Sequence, residues 1–403
     1  MLVVGGGAAG MMAAIQAAGR GRRTVLLEKN QRPGLKILIS GGGRCNLTTT
    51  REGKDLEAQY GKRRGRWLRH ALRAFPPTAL RRFVEQAGVP LREEDLEKLF
   101  PVSQKARDVV DALLRCCADA GVELVREAPV EQVTRDGDRF VVTTGKGALL
   151  ADRVVLATGG LSYPKTGATG DGYAWCRSFG HTITATFPAL APLRVDERWV
   201  HGLQGIVLHD VDIACVGGDG KETLRRRRPI LFTHKGLSGP APMDLAGDVE
   251  EQRGCASARF DFAPDTHRER LEQQWLELAR AHGTRRVDAL LPRALPERMR
   301  QALVAHSGAA AETTLAGLSK DARRSLLTAV KDLRVPVPKS LGYGAAEVTR
   351  GGVALDEVDA RTMQSKLQPG LFVVGELLDI DGPIGGFNFQ AAFATGRLAG
   401  LHA

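Results

Sequence analysis

Aromatic residues are scarce in this sequence, 5% of 403, while glycine is abundant at 47. That balance points to many close backbone approaches. No apolar run reaches the roughly 18–20 residues of a membrane span. The opening stretch MLVVGGGAAGMMAAIQAAG has no basic n-region, so it does not read as a signal peptide. A first strand of only Leu2, Val3 and Val4 raises the question whether native residues precede Met1. The six cysteines form no C-x-x-C pair and have no accompanying histidine spacing. This argues against zinc, any other metal site, or a disulfide framework, and for reduced thiols in a cytoplasmic protein. No internal repeat or low-complexity tract is visible. Ser238-Gly239-Pro240 lacks the G-x-S-x-G pattern of a serine-hydrolase elbow.

What is present describes an ordinary globular chain, 43% hydrophobic and 26% charged, long enough for two or three domains. Lys and Arg number 57 against 46 Asp and Glu, a net charge of +11. The excess clusters in KRRGRWLRHALR at 62–73 and RRRR at 225–228. Such clusters attract polyanions, including nucleic acid; the alternative is a solvated surface.

Leu2–Val4 precedes Gly5-Gly6-Gly7-Ala8-Ala9-Gly10 and a helix of small residues, MMAAIQAAGR. This is G-x-G-x-x-G in strand–turn–helix context. Gly5 permits the tight turn, Gly7 lets a pyrophosphate touch backbone, and Gly10 allows helix and strand to pack closely. The helix N-terminus supplies free N–H groups to the anion. The second strand, TVLLEK, ends in Glu28, eighteen residues after Gly10, where a carboxylate accepts hydrogen bonds from ribose hydroxyls. The spacing predicts a dinucleotide site.

Three later features favour a flavin. Residues 129–157 read as strand-turn-strand, with Val130 placed to meet adenine through backbone. VVLATGG then brings Thr158, Gly159 and Gly160 close to the dinucleotide. Near the C-terminus a buried strand, LFVVG, delivers Gly375 and Glu376, a carboxylate suited to ribityl hydroxyls. Gly385-Gly386-Phe387-Asn388 opens a helix whose N-terminus would face the flavin pyrimidine. One cofactor domain built from both chain ends is the layout of glutathione-reductase-type flavin enzymes.

Six stretches carry a resemblance to a known family: KILISGGGRCNLT, LFPVSQKARDVVDAL, ATGGLSYPKTGATGDGY, LFTHKGLSGPA, VTRGGVALDEVDARTM and GLFVVGELLDIDGPIGGFNFQ. The chain resembles the bacterial aminoacetone-oxidase-like or bile-acid-reductase-like NAD(P)/FAD-dependent flavoproteins, which include ribosomal RNA dihydrouridine synthases. The resemblance implies an α/β fold: a Rossmann-type FAD-binding domain with an inserted β domain and a small helical domain. It places SGGGRCN against the flavin side of FAD, with Ser40, Gly42, Gly43, Arg44 and Asn46 among the cofactor contacts. Arg44 would neutralise pyrophosphate or hold a substrate, and Asn46 would be a hydrogen-bond bridge. Lys29, Lys36 and Phe389 complete the candidate cofactor set. Cys45 is the candidate general acid for a polarised alkene, or else a small residue filling space. Where several relatives read GGYNFQ, this chain has Phe387, which keeps the ring and loses the hydroxyl; no proton-transfer role attaches to it.

The expected boundaries are 1–187 with 342–403 for the FAD domain, 188–265 with 331–341 for the β domain, and 266–330 for the helical subdomain. HGLQGIVLHDVDIACVGG reads as a hairpin, and the Arg/Gly-rich segment 51–66 as a mobile loop near the substrate side. Leu271, Trp275, Leu278 and Ala279 share one helical face. With a single G-x-G-x-x-G, NAD(P)H is expected only as a transient reductant. Three functions compete. The first is reduction of uridine in 23S ribosomal RNA, gripped through 62–73 and 225–228. The second is a small-molecule enone reductase or amine oxidase, and the third a non-catalytic redox flavoprotein.

Overall fold

In the computed structural model, which describes residues 1–403, five short strands form a wholly parallel sheet. They are β1 (Leu2–Val4), β2 (Val25–Leu27), β3 (Glu123–Val125), β4 (Val154–Leu156) and β5 (Leu371–Val373), in the spatial order β5-β4-β1-β2-β3. Leu2 pairs with both Val154 and Val25, and Val154 with Leu371. Strands β1, β4 and β5 are buried along their whole length, as expected for a parallel sheet covered on both faces.

Helix α1 (Ala8–Ala18) carries mostly alanine, glycine and methionine and is buried at ten of its eleven positions. Such small side chains let another helix come very close. That helix is α4 (Phe387–His402): a Cβ on Gly396 would lie 2.2 Å from the Ala9 carbonyl oxygen. Between them in sequence lie α2 (Leu35–Gly43) and α3 (Gly61–Ala74). The strands Val130–Asp136, Arg139–Thr144 and Gly147–Ala151 make a separate antiparallel sheet.

The loop expected over 51–66 is helical instead, with Gly53–Gln59 followed by α3. The Arg and Gly content hides a helical apolar period: Leu56, Tyr60, Leu68, Ala71, Leu72 and Phe75 are all buried.

The chain divides into two compact units, Met1–Pro188 with Tyr343–Ala403, and Ala189–Gly342. The second unit holds a five-stranded and a four-stranded sheet, then helices Arg268–Ala281, Glu297–His306 and Lys320–Lys331. Leu271 and Trp275 are buried, while Leu278 and Ala279 are half-buried. The hairpin expected over 201–218 is not formed. Val207–Leu208 pairs with Ile230–Thr233, whereas Asp212–Val216 pairs in the other sheet with Glu222–Arg227 and Ala256–Asp261. Ile213, Ala214, Cys215 and Val216 are all buried, so a continuous apolar run left the pairing to distant partners such as Phe260.

Candidate functional site

The carboxyl ends of β1, β2, β4 and β5 carry Gly5–Gly10, Glu28, Thr158–Gly160 and Gly375–Glu376 on one edge of the sheet. In open α/β sheets ligands bind outside this edge. The glycine loop is packed at both ends and open in the middle. A Cβ on Gly10 would sit 1.9 Å from the Gly5 carbonyl oxygen, and one on Gly5 2.5 Å from that of Ala157. Around Gly7 nothing lies within 4 Å of the same construction. Gly7 caps α1 without a side-chain hydrogen bond, so the first-turn amides at Ala8 and Ala9 have no side-chain cap.

Glu28 is buried, and its carboxylate is taken up locally. Oε2 accepts from the Gly6 N–H at 2.8 Å, and Oε1 from the Asn30 N–H and Nδ2, each at 2.8 Å. The Glu28 carbonyl accepts from the Ala128 N–H at 3.0 Å, which brings the segment entering Val130 alongside. Val130 itself heads its strand, paired with Thr144. Lys29 binds Asp171 at 2.7 Å and Thr169 at 2.6 Å.

At the β5 end, Glu376 meets Lys36: Nζ donates to Oε2 at 2.8 Å and to the Ser162 Oγ at 2.8 Å. Ser162 Oγ donates to Glu376 Oε1 at 2.7 Å, and the Thr349 N–H donates to the same oxygen at 3.0 Å. Gly160 is closed in by Thr349, whose Oγ1 would be 2.4 Å from an added Cβ, while Gly159 has φ +73°. Beside this network two buried polar atoms, Thr158 Oγ1 and the Tyr173 hydroxyl, lack hydrogen-bond partners. Burial, and then the charge of Glu376, push the Tyr173 phenol upward. Orphaned buried hydroxyls beside an open glycine loop are the features a ligand rich in acceptor oxygens would complete. A dinucleotide fits these residues.

The stretch 37–46 folds around a break in α2. Ser40 leaves the helix with ψ 149°, and Gly41 and Gly42 are left-handed. Gly43 is left-handed as well. Ser40 Oγ donates to the Ile37 carbonyl at 2.8 Å. Cys45 follows at φ +63° with no solvent exposure, and burial pushes its thiol up to about 12. The acid role expected of Cys45 does not suit this placement. With no solvent exposure the thiol has no open path to a substrate in this structure, and we propose packing as the role of Cys45. Arg44 is committed elsewhere too. Nη1 binds Glu94 Oε2 and Gln104 Oε1, each at 2.9 Å, and the guanidinium lies 4.2 Å above the Phe100 ring. A pyrophosphate or substrate contact by Arg44 would share the guanidinium with these partners, and its side chain stays 41% exposed.

Asn46 joins the two distant parts of the chain. Oriented to satisfy both neighbours, its amide donates to the Thr48 carbonyl at 3.3 Å and accepts from the Gly386 N–H at 3.0 Å. Gly386 has φ +85°, and a Cβ there would be 2.4 Å from the Thr48 carbonyl oxygen, so only glycine fits. Gly385 has φ +143°. Asn388 closes the turn, exchanging hydrogen bonds of 2.9 Å with both backbone groups of Gly382. Phe387 is buried, and Phe389 is half-buried and packs toward Phe393.

The sequence reading missed several residues that hold this end. The Tyr60 hydroxyl donates to the Phe387 carbonyl at 2.7 Å. Buried Gln390 accepts from Thr48 Oγ1 and donates to the Phe75 carbonyl, both at 2.7 Å. Arg64 binds Asp379 at 2.8 Å and Asp381 at 2.9 Å, and Arg350 reaches Asp381 at 3.1 Å. Asp379 and Asp381 stand out in the string LLDIDGP as acids within apolar residues, a signal that they are paired.

The basic run 225–228 is neutralised. Arg225 binds Glu222 and Asp212, Arg226 and Arg228 share Asp244, and Arg227 binds Asp210 and Asp265. Each arginine of the run expected to grip phosphate thus has a carboxylate partner. No helix is long and apolar enough to cross a membrane.

Comparison with known proteins agrees with this architecture. The family model described as HI0933-like protein Rossmann domain matches residues 1–402. A protein named ribosomal RNA dihydrouridine synthase, from Escherichia coli (strain K12), is 32% identical over 394 residues, covering 98% of this chain and 95% of that one. A 3-dehydro-bile acid delta(4,6)-reductase from Clostridium scindens is 28% identical over 404 residues, covering 99% and 97%. Among solved structures, a 3-ketosteroid delta1-dehydrogenase from Sterolibacterium denitrificans superposes with a TM-score of 0.52 at 14% identity, covering 100% of this chain and 98% of that one, a likeness of fold. The chain belongs to the HI0933-like Rossmann-domain family and is an oxidoreductase of that family.

Proposed function

We propose that this protein binds FAD and reduces a conjugated C=C bond, with uridine in 23S ribosomal RNA as substrate and dihydrouridine as product. The observation that carries the reading is the convergence on one sheet edge of the open Gly7 turn, Glu28, and the Lys36–Glu376 pair. The amides at the start of α1 would hold the pyrophosphate and Glu28 a ribose, while Lys36 and Glu376 would meet the ribityl chain. The N-terminus of α4 would favour negative charge on the pyrimidine end of the ring. FAD, when bound, supplies hydride chemistry at its N5. NAD(P)H is the proposed reductant, visiting transiently. The C5=C6 bond of uracil is conjugated to a carbonyl, so it accepts hydride at one carbon and a proton at the other.

The substrate assignment leans on the near-complete coverage shared with the E. coli dihydrouridine synthase. Mass spectrometry of 23S nucleosides from a deletion strain tests it. The expected result is loss of one dihydrouridine, restored by the wild-type gene; an unchanged dihydrouridine content overturns it. A small-molecule enone is the second reading, favoured by the likeness to the bile-acid reductase and by the pairing of Arg225–Arg228. Turnover of NAD(P)H on enones but not on ribosomal RNA would establish that alternative.

A further inference from the structure

The two basic runs have opposite fates. Within 225–228 every arginine has a carboxylate partner. Helix α3 instead turns its charge outward. Lys62, Arg63, Arg66, Arg69, His70 and Arg73 are all exposed. At 100° per residue they fall within an arc of about 120°, and they run about 17 Å along the helix. Lys62 and Arg66 make no ion pair; Arg63 reaches only an exposed Asp356 at 3.6 Å. Buried Glu57 lies beneath Arg69 and Arg73, at 2.8 and 3.5 Å, and leaves both side chains about half or more exposed (49% and 65%). Trp67, beside the stripe, is half-buried and packs against the core.

The opposite side of α3 is fixed. Arg64 is clamped by Asp379 and Asp381, and Tyr60, just before α3, donates to the Phe387 carbonyl at the start of α4. Helix α3 is thus tied, on the side away from the stripe, to the loop and helix end assigned above to the flavin ring.

We propose that the outer face of α3 is the surface on which the phosphate backbone of the RNA substrate docks, leaving 225–228 without a part in RNA binding. This rests on the ribosomal RNA reading of function. A line of exposed basic side chains, with no acidic residue of α3 itself between them, complements a polyanion strand, and its length spans several consecutive phosphates.

The test is binding of the FAD-loaded protein to transcripts tiling 23S ribosomal RNA across a salt series. The variants are K62Q/R66Q and, for the other run, R225Q. Removing two phosphate contacts should make the slope of log K against log salt shallower by about 1.4, and weaken binding about tenfold near 0.15 M salt. R225Q should bind within twofold of wild type. Unchanged flavin absorbance and melting temperature confirm that the variants are folded. If wild type binds but K62Q/R66Q matches it, the docking surface is wrong and the substrate reading stands. If wild type binds no transcript, or binds without salt dependence, the substrate reading falls and takes this proposal with it. If K62Q/R66Q keeps RNA binding but loses wild-type binding to phosphatidylglycerol vesicles, the stripe is a membrane contact and the proposal is overturned.

Discussion

Glu28 and Glu376 end two strands of one parallel sheet, yet their carboxylates are held by different chemistry. Glu28 is gripped by neutral donors, the Gly6 and Asn30 amides and the Asn30 side chain. Glu376 is gripped by a cation, Lys36, with Ser162 and the Thr349 amide. The Lys36 and Glu376 side chains are only 24% and 16% exposed, so the pair is well shielded from solvent. The comparison teaches that one end of the site is shaped by backbone and the other by charge. The first should tolerate loss of charge and fail on added bulk; the second should do the reverse.

Substitutions can break that contrast. The largest effect is expected from Gly7→Ala. Its backbone, at φ −86°, accepts alanine, and the bare turn has room for the methyl group. The variant should melt as wild type does yet lose FAD affinity on the order of 100-fold, because the methyl occupies the space the pyrophosphate needs. Calorimetry together with flavin titration checks this, and full retention of FAD would remove the dinucleotide from this turn.

Next is Glu376→Ala, which strands Lys36. A loss of about 2 kcal/mol of flavin binding, roughly 30-fold, is expected from one charged hydrogen-bonded partner. The ratio of visible to ultraviolet absorbance after gel filtration reports it; a variant that stays fully yellow would show that the pair serves structure alone. Glu28→Gln should cost less, about 1 kcal/mol, since the amide keeps one acceptor oxygen for the loop. An effect equal to that of Glu376→Ala would erase the distinction between the two ends. Smallest is Cys45→Ala. It should leave turnover unchanged and lower stability by about 1 kcal/mol through lost packing. A slowed product-forming step with normal flavin reduction would return the thiol to catalysis.

The backbone-shaped end was the more legible in sequence. Gly5, Gly7, Gly10 and Glu28 announce themselves through spacing, because each answers a steric demand within thirty residues. The charged end was legible only in part. Glu376 and Lys36 were both recognisable as cofactor candidates, but 340 residues separate them, and nothing local says that they touch. The surroundings of Arg44 and Cys45 were hidden for the same reason. Their partners Glu94, Gln104 and the surrounding core come from elsewhere in the chain. The helix over 61–74 was hidden by composition, since its apolar positions are outnumbered by lysine, arginine and histidine together. The neutralisation of 225–228 depends on acids as far away as Asp265.

Strand β5 lies at one end of the sheet, beside β4, although more than two hundred residues separate the two in the chain. A nascent chain emerging from the ribosome therefore exposes β4 as a raw edge until the final segment is translated. Capture of the cofactor is in this way a late event of biosynthesis. Premature termination before residue 371 should yield aggregated, colourless chains rather than a partly active enzyme.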